Sequence, residues 1–335
     1  MYDDKTIGAV IPAYNEEDHI GTVIETLPDF LDRTYVVDDG SSDDTWAEIQ
    51  THAARVNEAA DADGPVTSKG VELETPVVPI QHETNTGVGG AIKTGYKRTR
   101  EDGIDVTVVI SGDGQTEPDI VERILAPVAE GRADYAKGNR LLDQDNEDMP
   151  AFRRVGNFML SFLTKVASGY WNVMDPQNGS TAISLAALEQ IDLDELYDGY
   201  GFVNDLLVRL NVHNMEIADV ARRAVSKDET SHISSSSFVP KLSQLLLRDF
   251  LWRLRAKYLV RDFHPLAFLY YLGAFTVGTG GLMLLSRGTD RGEDVGVAGT
   301  LVLSVLGVLC IVMAMLFDRE ENQNLQIAED SRDEL

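Results

Sequence analysis

Two apolar runs near the end of the chain, Pro265 to Ser286 and Val295 to Phe317, carry no charged residue. As helices each is long enough to cross a hydrocarbon layer of ~30 Å. A buried helical pair in a soluble domain is the other reading, but such continuous runs are rare in cytosolic cores. The loop between them, Arg287 to Asp294, is short, so they predict a transmembrane hairpin, with an acidic tail from Asp318 returning to the side it left. Gly278, Gly280 and Gly281 would let the two helices approach closely. Just upstream, Leu242 to Val260 reads as an amphipathic helix with Lys241, Arg248, Arg253, Arg255, Lys257 and Arg261 against few acids. A basic helix of this kind is expected to lie on an anionic membrane surface, and the positive-inside rule puts it in the cytoplasm. The expected organisation is a soluble domain over 1–235, an interfacial helix over 236–264, spans at 265–286 and 295–317, and a cytoplasmic tail over 318–335, in a multi-pass protein of the cell membrane.

That basic helix stands out because acidic residues outnumber basic ones 55 to 29, for a formal charge of −26. Such a balance argues against nucleic acid as a partner. Spread along the whole chain, it fits a protein from a salty cytoplasm, where screening relieves self-repulsion, or an ordinary acidic protein. The single cysteine, Cys310, cannot form an internal disulfide and fits a reducing compartment. The polar start, Met1 to Lys5, gives no sign of a signal peptide.

The first 235 residues alternate short β-branched runs with amphipathic stretches, the pattern of an α/β domain with a mostly parallel sheet. Predicted strands are Thr6–Pro12, Tyr35–Val37, Pro76–Gln81, Val106–Ile110, Ala133–Gly138 and Met215–Val220, with a surface insertion over Ala59 to Thr75. The first turn lacks the G-x-G-x-x-G of a dinucleotide fold. It carries Tyr14, able to stack on a base, Glu16, able to accept from a ring N–H or ribose hydroxyl, and Asn15, which could cap the next helix. Asp38 and Asp39 could bind metal, bond a nucleoside or cap. Gly87, Gly89 and Gly90 precede a helix, where they could admit a phosphate or simply allow close packing.

The sharpest chemical signal is Val106 to Glu117, VTVVISGDGQTE. A buried strand ending in a polar, glycine-flanked loop places its side chains where open α/β sheets bind ligands. Asp113 and Gln115 offer hard oxygen ligands suited to Mg²⁺ or Mn²⁺ shared with a diphosphate. A plain strand-terminating turn is the alternative. Asn139-Arg140 ends the next strand, and a guanidinium there suits a diphosphate. Arg153 and Arg154 open a helix, where cations oppose the dipole and so suggest an anionic ligand or a solvated pair. Asp205 is either a first-turn helix acid or a group facing the site.

In order along residues 6 to 233 come VIPAYNEED, VVDDGSSDD, NTGVGGAIKTG, SGDGQ, KGNR, DPQNGS, GFVND and SKDETSH. This order resembles glycosyltransferase family 2, the GT-A nucleotide-sugar transferases, and within it the dolichyl-phosphate mannose or glucose synthases and their bacterial polyprenyl counterparts. The resemblance implies a GT-A (Rossmann-like) sheet with helices on both faces and a nucleotide-sugar donor held by Pro12, Tyr14, Glu16, Asp39, Arg140 and Lys227. It implies metal at Asp113 and Gln115, and a polyprenyl or dolichyl phosphate acceptor near Arg153 and Arg154. Ser111 departs from the D-x-D of many relatives and removes one carboxylate.

An inverting transfer needs the acceptor oxygen to attack the anomeric carbon while the nucleoside diphosphate leaves. A lipid phosphate is already ionised and needs no strong base; a hydroxyl acceptor would make Asp205 the leading base. The resemblance then implies inverting hexose transfer, from UDP-glucose ahead of GDP-mannose, to dolichyl or polyprenyl phosphate at the cytoplasmic membrane face. A family 2 transferase acting on a glycan or another lipid, and a non-catalytic sugar-nucleotide-binding membrane protein, are the alternatives.

Overall fold

The computed structural model describes residues 2, 4–61, 66–68, 71–73, 75–114, 118–139, 151–175, 178–221, 235–287 and 294–329. The chain opens with β1 (Ile7–Ala13), α1 (Ile20–Glu25), β2 (Arg33–Asp38) and α2 (Thr45–Asp61). A small antiparallel hairpin, β3 (Val66–Ser68) and β4 (Val71–Leu73), fills the expected insertion. Then come β5 (Val77–Gln81), α3 (Val88–Glu101), β6 (Val106–Val109), α4 (Pro118–Ala129), β7 (Tyr135–Asn139), α5 (Ala151–Ser168), β8 (Thr181–Ser184), α6 (Leu185–Gln190), α7 (Phe202–Val212) and β9 (Ile217–Ala221). The C-terminal part holds α8 (Ser235–Arg255), a π-helical turn (Ala256–Arg261), α9 (Leu266–Arg287), α10 (Asp294–Asn322) and β10 (Gln326–Glu329).

Eight strands form one sheet in the order β5-β2-β1-β6-β8-β7-β9-β10, all parallel except β8, which runs against both β6 and β7. Alternating side chains along each strand feed two cores. Ala9, Ile11 and Val108 pack under α1, α2 and α4 on one face, while Val10 and Val109 meet α3, α6 and α7 on the other. The carboxyl ends of β1, β2 and β6 therefore open between two covered faces, where the expected site residues cluster.

The basic helix departs from its expected role. Leu242, Leu245 and Leu246 of α8 are buried against α5 and α7. Two cations expected to face lipid, Arg253 and Lys257, are buried as well. Arg253 forms a two-pronged ion pair with Asp318 (Nη1 to Oδ1 2.9 Å, Nη2 to Oδ2 2.8 Å) and donates from Nε to Ala167 O at 2.8 Å. Tyr258 donates to Asp318 Oδ1 at 2.6 Å, and Lys257 donates to Asn322 Oδ1 at 2.7 Å and Asn211 O at 3.0 Å. Desolvation, then the neighbouring Arg253 charge, push the Lys257 amine down to about 8.

This polar cluster corrects the expected tail. Helix α10 runs on past Phe317 to Asn322, so Asp318 and Asn322 are buried in the cluster, and β10 then pairs in parallel with β9 as the last strand of the sheet. Up to Glu329 the tail is part of the folded domain.

Helices α9 and α10 are each long and apolar enough to cross a membrane. Their outer faces present exposed Phe275, Leu282, Val302 and Leu309. Of the three glycines expected at their contact, Gly280 lies there, and Gly273 and Gly307 lie there as well. A Cβ on Gly273 would lie 2.7 Å from Gly307 O, and one on Gly280 would collide with Ser304, whereas Gly278 and Gly281 face open space.

Replacing Asp318 by Ala would leave the buried guanidinium uncompensated and is expected to cost about 3–5 kcal/mol. Thermal unfolding of the detergent-solubilised protein would show it. The double change Arg253→Met/Asp318→Leu is expected to lose less than either single change; an unaltered midpoint for Asp318→Ala would contradict the assignment.

Candidate active site

Three strand ends build the site. Ile110 N donates to Val10 O at 3.0 Å, which sets the loop after β6 level with the end of β1. Gly112 lies against that end: a Cβ on it would sit 2.9 Å from Pro12 O. The next glycine, Gly114, holds φ +71, a left-handed conformation that glycine adopts at little cost and that turns the loop sharply after Asp113. Asp113 is half-buried there, and Tyr14, in the turn after β1, is half-exposed.

The loops after β1 and β2 lock together. Asn15 N donates to Ser41 Oγ at 3.0 Å, Ser42 N to Asn15 Oδ1 at 2.9 Å, and Glu16 N to Thr45 Oγ1 at 2.7 Å. Asn15 thus serves this loop pair; the N-cap of α1 is His19, which makes no side-chain cap bond. Glu16 stays at the rim, its carboxylate 3.6 Å from His19 Nδ1.

Three acids weighed as site residues, Asp38, Asp39 and Asp205, make hydrogen bonds within the protein. Asp39 is 3% exposed, and its carboxylate accepts from Thr86 N (2.9 Å), Thr86 Oγ1 (2.8 Å), His82 Nδ1 (2.8 Å) and Gly87 N (2.8 Å). It ties the end of β2 to the loop before α3. Asp38, fully buried, accepts from Ser41 N and Gln81 Nε2, both at 3.1 Å. Asp205 is 1% exposed and accepts from Tyr197 N at 2.8 Å and Arg209 Nε at 3.1 Å. Its carboxylate thereby fixes Tyr197, at the start of the 197–199 segment.

That segment explains the glycines before α3. Gly90 N donates to Asp198 O at 3.0 Å, and Cβ atoms on Gly87 or Gly89 would strike the backbone of Tyr197 and Asp198. Close packing, not a phosphate cradle, sets these residues.

Sequence reasoning missed a buried pair in the middle of β7 and β9, where Lys137 and Asp219 are register partners. Lys137, fully buried, donates to Asp219 Oδ1 at 2.9 Å and bonds Met174 O, while Asn139 Nδ2 donates to Asp219 Oδ2 at 2.8 Å. Gly138 N donates to Ser180 O at 3.0 Å, so Met174 and Ser180 are both held against β7. A lysine inside the apolar strand YAKGN was the available signal, because a buried ammonium demands a neighbouring acid.

Gln115, Arg140 and Lys227 lie outside the described residues, and for Arg153 and Arg154 only the backbone, in the first turn of α5, is described. Among the described residues no group of three or more His, Cys, Asp or Glu side chains is placed to hold a metal ion. One loop carboxylate at an open strand end suits Mg²⁺ or Mn²⁺, which takes few protein ligands and completes its shell with phosphate and water.

A mixed sheet of this order, with its site at the carboxyl ends of β1, β2 and β6, is the GT-A fold. The chain belongs to glycosyl transferase family 2, whose model matches residues 9–192. It is 32% identical over 224 residues to the UDP-N-acetylglucosamine–dolichyl-phosphate N-acetylglucosaminyltransferase of Methanococcus voltae, covering 66% of this chain and 86% of that one. To the undecaprenyl-phosphate mannosyltransferase of Micrococcus luteus it is 29% identical over 224 residues, covering 65% and 83%. The fold is similar to that of mannosyl-3-phosphoglycerate synthase from Rubrobacter xylanophilus, with a TM-score of 0.51 at 18% identity, over 78% of this chain and 77% of that one.

If Asp205 is a positioning residue, Asp205→Ala lowers stability by about 1–3 kcal/mol, the cost of orphaning a buried partner. Thermal unfolding should show this loss, with turnover reduced in proportion to folded protein. An unchanged midpoint with turnover abolished would make Asp205 the base after all.

Proposed function

We propose that this chain transfers a sugar, with inversion, from a nucleotide-sugar donor to a polyprenyl or dolichyl phosphate at the membrane surface. The supporting observation is the attachment of the hairpin. Helix α9 leaves the domain after the π-helical turn and α10 re-enters it at Asp318, so both ends are fixed on one side. Such a hairpin crosses the bilayer twice or not at all, and its exposed apolar faces favour crossing. A water-soluble donor and a membrane-held acceptor then meet at the rim of one rigid body, on the cytoplasmic side.

In this reading Tyr14 stacks on the base, and Pro12 and Glu16 shape the nucleoside pocket that Asp39 braces from below. Asp113, with Gln115, would hold Mg²⁺ or Mn²⁺, which when bound neutralises charge growing on the leaving diphosphate. Arg140 and Lys227 would add cationic charge there, and Arg153 and Arg154 would receive the acceptor phosphate. That phosphate is ionised at neutral pH and attacks the anomeric carbon without a protein base, which fits a buried Asp205. The family resemblance favoured UDP-glucose; the Methanococcus voltae relative moves the donor toward UDP-N-acetylglucosamine.

The test is incubation of membranes containing the protein with Mn²⁺ or Mg²⁺ and a panel of labelled UDP- and GDP-sugars, reading acid-labile label in the lipid fraction. One donor should label lipid, and Asp113→Ala should cut the rate by about 100-fold or more while the protein stays folded. Donor binding with no lipid label from any donor would contradict the proposal.

A further inference from the structure

A cavity of about 520 Å³ opens between α7, α8 and the segment after α6, lined by Asp192, Glu195, Arg209, Arg248, Asp249 and Trp252. None of these belongs to the strand-end site. The segment from Leu188 to Asp198 runs along α3 toward its N-terminus: Arg100 donates to Leu188 O at 3.4 Å, Lys97 pairs with Asp194, and Lys93 reaches Leu196 O at 2.9 Å. Asp192 and Glu195 therefore lie along the body of α3, below its first turn, whereas the donor site lies at the strand ends where α3 begins.

The cavity holds an unfinished hydrogen-bonding arrangement. Asp249 is 3% exposed; its Oδ1 accepts from Arg248 Nε at 3.0 Å, but its Oδ2 is buried without a hydrogen-bond partner among the described residues. Desolvation, with Asp205 close by, pushes its carboxyl up to about 6. A buried acceptor left unmet is costly, so once a small rotation of the side chain turns Oδ2 to the cavity a ligand that donates to it gains what the fold forgoes. Arg209 bonds Glu195 O at 2.6 Å and lies 5.1 Å from the centre of the Trp252 ring, which keeps a partly exposed indole at the cavity wall.

The lining selects among ligands. An anion would meet three carboxylates, and an organic cation would meet two guanidiniums. The carboxylates are not gathered closely enough for a metal. A neutral molecule with several hydroxyls satisfies both signs, donating to Asp249, Asp192 and Glu195 and accepting from Arg248 and Arg209. The indole offers a flat apolar wall for a ring face rich in C–H groups. We infer that this cavity binds a neutral sugar ring, at a site separate from the donor site. On the same helix, Leu247 and Leu251 are exposed beside Arg248 and Trp252, so the sugar can reach the cavity from solution or on a membrane lipid.

The test is saturation-transfer NMR on the full-length protein in nanodiscs, with excess UDP and GDP filling the donor site. The probes are methyl α-glucoside, methyl α-mannoside and N-acetylglucosamine, with choline and glycerol phosphate as charged controls. At least one sugar should bind saturably with Kd on the order of 1 mM. Asp249→Asn and the more exposed Trp252→Leu should each weaken it about tenfold while nucleotide binding is unchanged. Tighter binding of dodecyl glucoside held in the nanodisc would assign the sugar to a lipid, and equal binding would assign it to a soluble saccharide; both support the site. Lack of saturable sugar binding, binding that both variants retain in full, or preference for a charged control would overturn it.

Discussion

The buried Arg253–Asp318 pair joins two parts of the protein that sequence alone would separate. Its guanidinium also bonds the end of α5, through Val166 O and Ala167 O, and Asn322 and Lys257 extend the cluster to Asn211 on α7. Desolvating two full charges is expensive, and such a pair persists only where geometry and further hydrogen bonds offset that cost. Every polar atom named here has such a partner. The consequence is mechanical: the apolar hairpin does not hang from a linker but grows out of the domain core, and β10 closes the sheet behind it.

A second lock operates at the opposite end of the sheet. Asn15 with Ser41 and Ser42, and Asp39 with Thr86 and Gly87, join the loops after β1, β2 and β5 into one surface. Asp205 holds the neighbouring wall through Tyr197 N. Carboxylates that could meet a ligand are spent on backbone amides, which gives the strand-end pocket fixed walls before any ligand arrives. Preorganisation of this kind lowers the ordering cost of binding.

The alternation of β-branched runs and polar turns made most of the sheet legible, because a strand buried on both faces leaves few other readings of VTVVI or TIGAVIP. Strands β8 and β10 were not legible: each is four residues long, and their partners lie far along the chain. Amphipathicity displayed the cations of α8 but could not show that Asp318, beyond two apolar helices, waits for Arg253. Acids posed the same problem. Asp39 and Asp205 occupy strand-end and helix-start positions that look alike whether they face a ligand or backbone amides, and only the fold shows the amides they hold. Lys137 was the reverse case, a charge in an apolar strand whose partner Asp219 sequence spacing could not supply.

The central claim is that a lipid phosphate, already ionised, attacks the sugar without a protein base. The most direct measurement compares initial rates of sugar transfer in proteoliposomes that carry either a polyprenyl phosphate or the corresponding free polyprenol, with the same donor and Mn²⁺. Transfer to the phosphate and none to the alcohol is the expected result. Comparable transfer to the alcohol would contradict it, since a hydroxyl acceptor requires a base and Asp205, the leading candidate among the described residues, is engaged by Tyr197 N and Arg209.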